Sequence, residues 1–66
     1  MSDEQTGEIS EEQRQVIFKA LVEAQDGGMG VAASRAEMAR RFAVTEDQVR
    51  DIEREGSAKL WPPLDS

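Results

Sequence analysis

The sequence predicts an all-α fold, a three-helix domain whose last two helices form a helix-turn-helix. Three observations carry that prediction. First, a hydroxyl residue followed three positions later by Glu or Gln lets two side chains satisfy the orphan donors of a helix start. It occurs at Ser10 with Gln13, Ser34 with Glu37 and Thr45 with Gln48. Second, the apolar residues after each start recur at helical steps of three and four. Third, only Ala43 and Val44 separate the end of the second helix from the cap of the third. That turn is short enough for a helix-turn-helix.

The first helix is expected over about residues 11–25. Val16, Ile17, Ala20, Leu21 and Ala24 make one apolar stripe, and Phe18 and Val22 widen it. Asp26, Gly27 and Gly28 end the helix, since glycine takes the left-handed conformation of a helix C-terminus without penalty. Residues 27–33, GGMGVAA, read as a flexible link in which Met29, Val31 and Ala33 are available to pack down as a short turn. The second helix is short, about 35–42, with Met38, Ala39 and Phe42 on one side. Its small Ala39 allows close approach, and Ala43 stands where many such units place glycine. The third helix is expected over about 46–60. Val49, Ile52, Gly56 and Leu60 form its narrow inner stripe, and Val44 with Val49 is placed to staple its start. A glycine inside a helix costs about 1 kcal/mol relative to alanine. Gly56 therefore marks either a close helix approach or a fray point. Pro62 and Pro63 stop the helix. Ile17, Leu21, Met38, Phe42, Val49, Ile52 and Leu60 are the expected core.

Composition restricts the function. The 66 residues hold no cysteine and no histidine, which removes disulfides, thiolate zinc sites and the commonest general base. A domain this small has no room for a catalytic cleft, so no enzyme activity, metal or cofactor is expected. The formal net charge is −6. Residues 1–13 carry Asp3, Glu4, Glu8, Glu11 and Glu12 against no base, which is −5. Residues 35–59 carry six acids against six bases and net zero. The acidity is thus mainly N-terminal: residues 1–9 read as an acidic disordered tail and 10–63 as the helical domain. No export signal and no run near the roughly 20 apolar residues of a membrane span is present. The expectation is a cytoplasmic monomer without a membrane partner.

The stretch from Phe42 to Pro63, FAVTEDQVRDIEREGSAKLWPP, resembles region 4 of sigma-70-type bacterial sigma factors, the module that reads the −35 promoter element. The matching residues are Val44-Thr45, Val49-Arg50, Ile52-Glu53, Lys59-Leu60 and Pro63. The resemblance spans roughly 34–63, about half of the chain. It implies a bacterial transcription-related protein of helix-turn-helix form. The regions of a sigma factor that bind core polymerase and melt promoters have no counterpart in these residues. Two positions after the threonine, commonly Arg then Glu in the family, read base edges; here they are Glu46 and Asp47. The following basic position is Gln48, and a family Gln is Asp51. A bidentate Arg–guanine contact is worth about 1–3 kcal/mol of discrimination, and a carboxylate facing guanine's acceptors repels them.

The candidate DNA contacts are therefore Arg35, Arg40, Arg41, Arg50, Arg54 and Lys59 for phosphates and Thr45 for a phosphate oxygen. Asp47, which can accept from a cytosine amino group, and Gln48 complete the set. Glu46 stands four residues before Arg50 and is expected to pair with it. Trp61, Pro62 and Pro63 admit two readings. They form a docking tail for another protein, or Trp61 folds back on the first helix as a lid over the core. The leading expectation is a stand-alone, region-4-like protein that binds DNA weakly or beside a partner. The alternative is a protein-interaction module that contacts RNA polymerase, a sigma factor or another regulator without reading DNA.

Overall fold

The computed structural model describes residues 9–62 and Leu64. It contains three α-helices and, among the described residues, no strand. These are α1 (Glu11–Asp26), α2 (Val31–Phe42) and α3 (Glu46–Lys59). Each helix packs against both others, so the core lies where three apolar faces meet. No helix among the described residues is long and apolar enough to cross a membrane.

The core consists of Ile17, Phe18 and Leu21 from α1, Met38 from α2, Val49 and Ile52 from α3, and Trp61 beyond it. Five of the seven expected core residues are there, and two are not. Phe42 is half-buried, and Leu60 is 58% exposed. Phe18 and Trp61 take their places. The inward face of α1 is centred on Ile17, Phe18 and Leu21, which rotates Val16 to the outside, 50% exposed.

Leu60 fails as a core residue because α3 has already ended. Its φ of 55° and ψ of 46° are left-handed, and the Trp61 amide bonds back to the Gly56 carbonyl at 3.0 Å. This is the closing bond of a Schellman turn. It sends Leu60 outward and Trp61 inward. There the indole meets Phe18 edge to face, with ring centroids 6.0 Å apart. Of the two readings of Trp61, the structure has the lid.

Gly56 is buried and marks a close helix approach. A Cβ built on it would fall within 3 Å of three Phe18 ring carbons. The Phe18 ring thus occupies the space that any side chain at position 56 would need.

The second helix begins earlier than predicted. It starts at Val31, with Gly30 as its N-cap and no side-chain cap, so residues 31–33 are helix rather than link. Ser34 caps nothing. It is fully buried, donates its hydroxyl to the Val31 carbonyl at 2.8 Å and accepts from the Gln25 side-chain amide at 3.0 Å. A hydroxyl bonding back within its own helix is the usual resolution for serine in a helix interior. The link between α1 and α2 shrinks to 27–30, and Met29 and Val31 are exposed. At the N-terminus, Ile9 belongs to the domain and not to the tail. It packs on the core, and its carbonyl accepts from the Arg14 guanidinium. Residues 1–8 lie outside the described residues.

Candidate nucleic-acid interface

The α2–α3 connection fits a helix-turn-helix in its local construction. Ala43 has φ 59° and ψ 44°, the left-handed conformation that glycine takes without a Cβ penalty. The Val44 amide reaches the Ala39 carbonyl at 3.0 Å, a second Schellman closure. Val44 then packs on the core cluster that includes buried Val49, consistent with a staple at the start of α3. Thr45 starts α3 with a complete capping box. Its hydroxyl accepts from the Gln48 amide at 3.0 Å, and the Gln48 side chain accepts from the Thr45 amide at 2.9 Å. Thr45 and Gln48 therefore both have structural work.

The first turn of α3 is acidic and exposed at Glu46 and Asp47. Carboxylates here face the partial positive charge of the helix N-terminus, typically worth about 0.3–1 kcal/mol each. Acids at these positions support the helix. They also set negative charge where a base-reading side chain would stand.

The six candidate phosphate contacts separate into two groups. Arg35 braces α2 against α3, while Lys59, itself exposed, pairs within α3 and lies against Trp61. Arg35 bonds Glu53 of α3 at 2.9 Å, with both side chains about a quarter to a third exposed. Lys59 bonds Glu55 at 2.9 Å, and its ammonium lies 5.7 Å from the Trp61 ring centroid. Arg40, Arg41, Arg50 and Arg54 are exposed. Two of these are neutralised locally: Arg40 pairs with Glu37, and Arg50 pairs with Asp47 at 2.7 Å. The Arg50 partner is thus Asp47 three residues back, not Glu46 four back, and the same pair occupies the carboxylate considered for cytosine. Arg41 lies over its neighbour, with the guanidinium 5.5 Å from the Phe42 ring centroid. Arg41 and Arg54 are left with no carboxylate among the described residues.

Of the candidate docking residues, Trp61 is 6% exposed and occupied by the core. Pro62 is exposed, and Pro63 lies outside the described residues.

One functional-scale feature had no strong sequence signal. Arg14 donates two hydrogen bonds to the Glu55 carboxylate, at 2.7 and 3.1 Å, and a third to the Ile9 carbonyl. It ties the N-terminal entry, α1 and α3 together. The Arg14 guanidinium first, and the Lys59 ammonium second, hold the Glu55 carboxyl below its ordinary pKa. A lone arginine on α1 does not reveal that its partner stands 41 residues away.

Compared with protein-family models, curated proteins and solved structures, the chain matches none.

Proposed function

We propose that the chain is a small, transcription-related helix-turn-helix protein, resembling sigma region 4, whose contact with DNA is weak and needs a partner. The observation that carries this is the contrast between a complete scaffold and a neutralised surface. The left-handed Ala43 turn, the Val44 staple and the Thr45 capping box build the α2–α3 unit. Yet the start of α3 is acidic, and of the six candidate cations Arg41 and Arg54 have no carboxylate partner among the described residues. Affinity from counterion release grows with the number of phosphates neutralised. Two unpartnered cations support only a weak electrostatic term.

A second reading is favoured by the Asp47–Arg50 pair. A surface whose charges are already satisfied and whose outward helix start is acidic suits contact with another protein, such as RNA polymerase or a sigma factor, without base reading.

One variant separates the two. Changing Glu46→Arg and Asp51→Gln together shifts the charge of α3 by +3 (two units and one). Both sites are exposed, so stability should change by no more than about 0.5 kcal/mol. A titration with mixed-sequence duplex DNA at low and moderate salt is the measurement. The first reading expects affinity to rise markedly at low salt, with a steeper salt dependence. A folded double variant that still ignores DNA at low salt would sink it in favour of the second.

A further inference from the structure

The outer face of α1 carries a charge pattern that matches itself. Helical residues three and four apart share a face, so Glu12, Gln15, Val16 and Lys19 stand together. With Pro62 they line a shallow, open groove of about 230 Å³. Small-molecule sites run to roughly 300–1,000 Å³, so this groove is sized for one or two side chains rather than a cofactor. Val16 is 50% exposed at its centre, and Glu12, Lys19 and Pro62 are exposed around it.

Glu12 and Lys19 are separated by seven residues, about 10.5 Å along the axis at 1.5 Å per residue. They cannot pair with each other, and neither joins an ion pair among the described residues. The midpoint between them falls between Gln15 and Val16. A two-fold rotation about an axis through that point, perpendicular to α1, reverses the helix. It brings Glu12 of one copy onto Lys19 of the other, twice, and sets Val16 against Val16. Such a self-complementary patch is what an isologous two-fold contact requires.

We propose that this face joins two copies of the chain as an antiparallel α1–α1 dimer. Two Glu12–Lys19 pairs close around the paired Val16 side chains, with Pro62 of each copy at the flank. Val16 points away from the α1 face that packs on α2 and α3, so the dimer leaves the α2–α3 unit of each copy uncovered. The apolar centre is small. The dimer is accordingly weak, forming toward the upper end of a micromolar-to-millimolar range.

Sedimentation of the full chain across that range, at physiological salt, tests the idea. Wild-type chain should show concentration-dependent dimer. Glu12→Lys and Lys19→Glu each place like charges across the two-fold axis, so each alone should weaken association about tenfold or more. Mixing the two variants should restore it, because every cross-axis contact in the mixed dimer then joins a lysine to a glutamate. Both sites are exposed, and a circular dichroism melt of each variant verifies that its fold is intact. A wild-type chain that stays monomeric at millimolar concentration overturns the proposal. So do single variants that associate as well as wild type, or a mixture that does not recover.

Discussion

At the scale of single residues, the domain depends on one ring and one missing side chain. Phe18 is 1% exposed and fills the space between Gly56 and the Trp61 edge. Truncating a buried phenylalanine typically costs about 3–5 kcal/mol, which is comparable to all the stability a core this small supplies. Phe18→Ala is expected to unfold the chain near room temperature. Phe42→Ala is expected to cost distinctly less, because Phe42 is half-buried; thermal melts of the two side by side check the order. Gly56→Ala carries opposing effects. Helix propensity favours alanine by about 1 kcal/mol, while overpacking against Phe18 costs about 1–3 kcal/mol, so the net expectation is a loss. The left-handed residues give the opposite test. Ala43 and Leu60 both sit at positive φ, where an L side chain is strained by about 1–2 kcal/mol. Ala43→Gly should stabilise the fold by up to about 1 kcal/mol after the larger entropy of glycine in the unfolded chain is subtracted. A lowered melting temperature would mean that the Ala43 methyl makes a contact that outweighs its strain.

At the scale of elements, α1 and α3 are held by polar contacts as well as by the core. The Arg14–Glu55–Lys59 group has a definite pH signature. Because the folded pKa of Glu55 is lowered, its contribution is complete above the ordinary carboxylate range. It is lost as the pH falls through the folded value. Glu55→Gln should therefore cost about 1 kcal/mol near neutrality, a figure discounted for partial exposure. The gap from wild type should close in acid, at a pH below the ordinary carboxylate range. Urea titrations near neutrality and in acid measure it, and a gap that persists in acid would assign the loss to packing instead. The starts of α1 and α3 were legible, because Ser10 and Thr45 cap locally and leave their signature in four adjacent residues. The start of α2 was not. Ser34-x-x-Glu37 has the capping pattern, but Gln25 of α1 offers Ser34 a partly buried partner, and no local pattern records that. The lid position of Trp61 was available as one of two readings, yet the displacement of Leu60 was not. It follows from a left-handed residue that is not glycine, which breaks the rule by which helix ends are read. For the candidate interface, the exposed cations could be seen in the sequence. The diversion of Arg35 into a pair with Glu53 on the facing helix could not, because it is a tertiary contact.

At the scale of the whole molecule, charge is unevenly shared, and this allows the net field to be separated from the local surface. Residues 1–8 hold Asp3, Glu4 and Glu8 against no base, so the first eight residues account for three of the six net negative charges. Removing them changes the net charge by +3. The Glu46→Arg, Asp51→Gln pair also changes it by +3, but on the exposed side of α3. If any affinity for DNA is governed by long-range repulsion between the whole chain and the polyanion, the two changes should have similar effects. Both effects should also fade together once the Debye length falls below about 10 Å, near 0.1 M salt. If it is governed by contacts along α3, the helix variant should bind more tightly than the shortened chain. It should also lose affinity more steeply with added salt, because its added arginine releases a counterion from a phosphate that it touches. The proposed function expects this second pattern, since the neutralised surface lies on α3 itself. Equal gains from the two +3 changes, with equal salt slopes, would show that the acids of α3 repel DNA only as part of the general charge. The α2–α3 surface would then be the place to look for a protein partner rather than a base sequence.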